Sequence, residues 1–182
     1  MIATAVAVPV VVALLVVVNV FGPGSQDTSG DDGGAVAEVD GQPVSPRDES
    51  PVEVDTPPIT PEADAACPAL MSQLPLEIAG ETSRRVDSDS PYAYAWGDPA
   101  QVLVCGADVP AGFVVGGPQA LGINGVTWFV DTTDPTVNVW TTVDRTVPVQ
   151  ISIPASTDGS VAIALSPVIA GAIPFTEPQP GG

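Results

Sequence analysis

Histidine and lysine are absent from this 182-residue chain, and arginine occurs only four times. Without histidine the chain lacks the commonest general base and the commonest neutral metal ligand, so nucleophilic triads built on that residue are excluded. Without lysine there is neither a Ser-Lys dyad nor Schiff-base chemistry. Carboxylates, tyrosine and arginine are what remains for acid-base work. The glycine-rich stretches at 111–118 and 121–125 contain no Gly-Lys-Ser/Thr and no Gly-x-Gly-x-x-Gly, which leaves phosphate loops and dinucleotide folds without a signal. No acidic spacing matches an EF-hand loop. No cofactor and no metal are therefore expected. The four arginines face 22 acidic residues, for a net charge of -18. Displacing counterions from nucleic-acid phosphates takes basic side chains, so nucleic acid is not an expected partner. The same field repels anionic lipid headgroups and suits solubility, divalent cations or a basic partner.

What the chain does have begins with an uninterrupted apolar run. Ile2 to Phe21 carries no charge, and only Thr4 and Asn19 are polar. Twenty such residues make about 30 Å of helix, the thickness of a bilayer core. A cleaved signal peptide is the rival reading. The run is long for that, and Asn19 to Gly24 offers no small-x-small cleavage site, so an uncleaved transmembrane signal anchor over 1–21 is expected. The missing basic segment ahead of it points to a start site upstream of Met1. Residues 22–64 follow as a linker with seven prolines, six glycines, eleven acids, one arginine and no aromatic residue. Such a composition cannot bury enough apolar surface to offset the entropy of ordering, so no secondary structure is expected there.

A folded unit is expected over 65–174, with a flexible tail at 175–182. Leu70, Met71, Leu74 and Ile78 recur at helical spacing, with Pro75 ending or kinking the helix. Glu81 to Pro91 is polar and reads as a loop or short edge strand. Alternation then marks strands at 92–96, 101–105, 126–130, 137–143 and 145–153. Pro148 lacks a ladder donor and places the last of these at an edge or in an irregular position. Asn124-Gly125 is a turn signal. Val161 to Ile173 admits a strand as far as Ser166, but its alanines and the capping residues before it favour a helix, kinked near Ser166-Pro167. The expected fold class is α+β: a small antiparallel sheet of about five strands with one or two helices on one face.

Cys67 and Cys105 are the only cysteines. Outside the cytoplasm, a disulfide between them is the natural reading. The scattered aspartates sit mostly beside Gly, Pro, Ser or Thr, where turn chemistry accounts for them, so no catalytic residue is singled out. A binding cluster is instead assembled from Arg84, Arg85, Trp96, Asp98, Trp128, Trp140 and Arg145. Scarce arginines imply defined partners, either an internal Arg-carboxylate pair or a recognition groove lined by aromatics.

Cys67-Pro68-x-Leu70 with Leu74-Pro75, then Arg84-Arg85, then Ala95-Trp96-Gly97-Asp98-Pro99 running into Val102-Leu103-Val104-Cys105-Gly106, resembles an actinobacterial envelope family of unknown function, the DUF 3515 family. Asn124-Gly125-Val126-x-Trp128 and Thr141-Thr142-Val143-x-Arg145 continue the likeness, as do the strand before Pro154 and the stretch 165–174. It covers residues 65–174 and carries no known activity. It implies a membrane or cell-envelope location and supports the disulfide. The expected function is an anchored, non-enzymatic domain binding an envelope protein or cell-wall component, with membrane lipid contacted through the N-terminal span. A carboxylate-dependent hydrolase acting on envelope glycan is the alternative, and would need two acids facing each other across a cleft.

Overall fold

The computed structural model describes residues 48–181, so the apolar run and most of the predicted linker lie outside the described residues. Two helices and ten strands follow one another in this range. The strands are β1 (Val52–Glu53), β2 (Glu77–Ile78), β3 (Glu81–Arg84), β4 (Val86–Asp87), β5 (Ala93–Trp96), β6 (Gln101–Cys105), β7 (Ala120–Ile123), β8 (Val126–Asp131), β9 (Val137–Thr142) and β10 (Val149–Pro154). The helices are α1 (Pro61–Met71) and α2 (Ser160–Ala172). Eight strands form one antiparallel sheet in the order β2-β3-β5-β6-β10-β9-β8-β7. The remaining two, β1 and β4, make a short parallel ladder.

Strand alternation decides what the sheet buries. Val149, Ile151 and Ile153 of β10 are buried on one face, and Leu103 of β6 pairs directly with Ile151. Trp96, Cys105, Val126 and Trp128 join the same core. Both helices cover it. α1 contributes Ala63, Cys67 and Leu70, at the four- and three-residue steps of a single helical stripe. α2 contributes Val161, Ala162, Leu165 and Ile169. A smaller cluster of Phe113, Phe129 and Val143 lies apart from this core. Phe129 alternates with the helix-facing Trp128, which places this cluster on the other face of the sheet, beneath the β6–β7 loop.

The α+β class holds, but the sheet is larger than the expected five strands. The additional members, β2, β3 and β7, are short and polar or glycine-bearing, so period-two alternation carries no signal in them. The first helix starts at Pro61, inside the segment read as linker. Thr60 Oγ1 accepts from the Ala63 amide at 3.1 Å and proline occupies the first turn, a start signal of ordinary strength. It ends at Met71, ahead of Pro75. β1 also lies within the predicted linker, where Val52 pairs with Val86.

β10 is central rather than at an edge, but it begins only at Val149, so residues 145–148 of the expected strand take the irregular alternative. Pro148 stands just before the strand, so its missing N–H costs the ladder nothing, and its carbonyl accepts from the Gly106 and Ala107 amides. The tail is held by the Thr176 amide, which donates to the Asp144 carbonyl at 3.0 Å, and again by the Gly181 amide, which donates to the Phe113 carbonyl at 3.3 Å. Among the described residues no helix is long and apolar enough to cross a membrane.

Candidate functional site

Cys67 of α1 and Cys105 of β6 form the expected disulfide, with their Cα atoms 5.8 Å apart. The seven residues proposed for binding are distributed over separate places. Trp96 is fully buried and its indole N–H donates to the Pro75 carbonyl at 2.8 Å. Trp128 is fully buried too, donating to Ser166 Oγ at 2.9 Å. Trp140 packs against it edge-on, with ring centroids 6.2 Å apart. Both indoles of the buried pair are thus satisfied within the core, which is where rings of that size contribute most.

Arg145 is buried as well. Its Nε lies 3.4 Å from Asp144 Oδ1, and its guanidinium donates to the carbonyls of Ile173, just past α2, and Gly125, in the β7–β8 turn. Phe175 covers it from the tail, 5.9 Å away. Asp144 Oδ2 in turn accepts from the Thr127 amide at 2.7 Å. This is the internal Arg-carboxylate pair that arginine scarcity suggested, and it welds the tail, the hairpin turn and the helix end together.

Arg84, Arg85 and Asp98 come together at the surface, around a groove of about 410 Å³. Arg84 is the last residue of β3. Its Nη1 donates to the Gly97 carbonyl at 3.0 Å and its Nη2 to the Ser50 carbonyl at 2.8 Å. Gly97 follows β5 with φ of +78°, and a Cβ there would sit 3.0 Å from the Glu81 carboxylate, so this turn favours glycine on both counts. Asp98 Oδ2 accepts from the Asp48 amide at 3.1 Å. Arg85 is exposed, and Nη2 reaches only the Glu49 carbonyl, at 3.5 Å. The Asp48 carboxyl is held below the usual carboxylate range, chiefly because it accepts from the Ser50 hydroxyl and amide, with Arg84 nearby adding to the effect.

Chemically, the groove offers two guanidinium groups whose hydrogen bonds go to backbone carbonyls. Among the described residues neither is within ion-pair distance of a carboxylate, although Asp48, Glu49 and Asp98 share the groove and Asp48 feels the Arg84 charge. They are also the only described arginines that reach the surface. Asp48 and Glu49, which complete the walls with Thr82 and Ser83, were missed by sequence reasoning because they fall in the presumed linker. The Val52-Glu53-Val54 alternation was the one available hint that this segment pairs with the domain.

A family model described as "Protein of unknown function (DUF3515)" matches residues 4–178. The match therefore reaches well upstream of the residues on which the resemblance was first drawn. No curated protein and no solved structure matches the chain.

Proposed function

The chain belongs to this family of unknown function, and from that premise we propose that residues 48–181 form a binding domain rather than an enzyme. In this reading the apolar run 2–21 holds the domain at the outer face of a cell membrane. Its partner is an envelope protein or cell-wall component that presents an acidic group to Arg84 and Arg85.

One observation carries the reading. In a chain of net charge -18, the only two surface-reaching arginines of the described domain stand at one groove, neither of them in direct contact with a carboxylate. Pre-placed guanidinium groups recognise carboxylates strongly and directionally. Arg84 is already aimed by two carbonyls, while Arg85 keeps most of its donors for a partner. The disulfide supports an oxidising compartment.

Crosslinking pull-down from native membranes tests it. Arg85→Ala is expected to lose the captured partner while leaving the melting temperature unchanged, because Arg85 is exposed. Recovery of the same partner at wild-type yield with Arg85→Ala and with Arg84→Ala would sink the proposal. Location is checked separately: protease added to intact cells should reach the domain.

A further inference from the structure

The helix-free face of the sheet carries a second cleft, of about 880 Å³. That lies within the range of small-molecule sites, roughly 300–1,000 Å³. Val139 and Thr141 of β9 and Gln150 of β10 line it, with Gln150 directly opposite Thr141 in the ladder. Residues 107–111 of the β6–β7 loop form another side, and Asp131 at the end of β8 pairs across the sheet with Val139. Asp131 and Asp108 are the charged groups of the lining, and no basic side chain is among them. The Asp131 carboxyl accepts from the Thr133 amide at 2.9 Å, which holds it below the usual carboxylate range and therefore ionised.

Thr141 is the second and independent observation. It is fully buried, yet its Oγ1 has no hydrogen-bond partner among the described residues. Buried hydroxyls are nearly always satisfied; this one lies under the cleft lining with almost no exposed surface, so a ligand bonds to it by parting the side chains that cover it. Asp131 and Thr141 stand diagonally across neighbouring strands, a separation of about 7–8 Å, with Val139 between them on the same face.

The geometry points to a binding site in this cleft for a small aliphatic amine. Its ammonium group bonds to the Asp131 carboxylate in the field of Asp108. Its hydrocarbon body lies over Val139 and Val109, and a second polar end reaches Thr141 Oγ1. An anion is repelled by both aspartates, and a neutral ligand forgoes the charge-assisted bond. The site is independent of the arginine groove.

The test uses the full-length chain in a non-ionic detergent, titrated calorimetrically with 1,4-diaminobutane, with 1,4-butanediol and with succinate. The diamine is expected to bind, the diol about tenfold more weakly or worse, and succinate not at all. Thr141→Val and Asp131→Asn should each weaken the diamine about tenfold, and Arg85→Ala should leave it unchanged. Asp131→Asn keeps the oxygen that accepts from Thr133, so it decides the matter alone if Thr141→Val fails to fold. Diffuse attraction to the acidic surface survives both substitutions. Unchanged affinity in the two variants, equal binding of the diol, or no diamine binding would each overturn the proposal.

Discussion

Arg145 and Asp144 are neighbours in sequence, and in a regular strand their side chains would point to opposite faces. They meet because the ladder of β9 has ended at Thr142 and that of β10 has not begun, leaving irregular backbone between. Arginine scarcity made a defined partner for Arg145 legible, but not which carboxylate or which carbonyls. Arg145→Met removes the cation and strands a buried carboxylate, so a loss of about 3–5 kcal/mol in urea unfolding is expected. Adding Asp144→Asn should restore part of it. Ser166→Ala removes the acceptor of the Trp128 indole and leaves a buried N–H unpaired, which should cost about 1–3 kcal/mol. Trp96 and Trp128 were legible as strand residues. Their complete burial was not, because period two gives two faces without saying which one the helices cover.

Among the elements, α2 shows how a local conflict is resolved by a distant residue. Pro167 lies inside the helix and has no N–H for the Ile163 carbonyl four residues earlier. Asn124 Nδ2, from the β7–β8 turn, donates to that carbonyl at 3.2 Å. The sequence announced both Pro167 and the Asn124-Gly125 turn, and the expected kink followed from the first. It could not announce that the second would occupy the orphaned carbonyl; the helical span itself is continuous from Ser160 to Ala172. Asn124→Gly keeps the left-handed backbone, φ of +48°, but removes the donor. A loss of about 0.5–1.5 kcal/mol is expected, read as a lowered midpoint in urea. The β2–β3 turn went unread because Ala79-Gly80 lacks the usual asparagine. Ala79 has φ of +51°, a conformation disfavoured for alanine by about 1 kcal/mol. Ala79→Asn should therefore raise the melting temperature, an outcome visible by differential scanning calorimetry.

For the whole molecule, the five strands rich in apolar residues were legible; of the three additions, β3 falls in the stretch read as a loop or short edge strand, and β2 and the glycine-bearing β7 gave no signal. The arginine groove was half legible: Arg84, Arg85 and Asp98 are uncommon residues in an acidic chain, whereas Asp48 and Glu49 look like any linker acid. Stability should also depend on pH at both extremes. Asp131, Asp134 and Asp158 have lowered carboxyl values, from hydrogen bonds donated by Thr133, Thr136 and Ser160. Lowered values contribute stability that is complete above the unperturbed 3.8 and lost as pH falls further. Tyr92 is shifted the other way by its hydrogen bond to Asp64, so its contribution is complete below 10.0 and lost as pH rises beyond it. Melting temperature followed against pH should show a plateau that falls below about 3.8 and above about 10.

The Cys67–Cys105 disulfide closes a separation of 38 residues and should contribute about 4 kcal/mol through the unfolded chain. Cys67→Ser with Cys105→Ser should lower the unfolding free energy by about that amount. The same bond has a mechanical meaning. When the two ends of the chain are pulled apart, force travelling inward from the N-terminal side peels β1 and the opening turns of α1, then crosses at Cys67 into β6, the fourth of eight strands. Residues 68–104 are left out of the load path, so β2, β3 and β5 bear no tension while the covalent shortcut is intact.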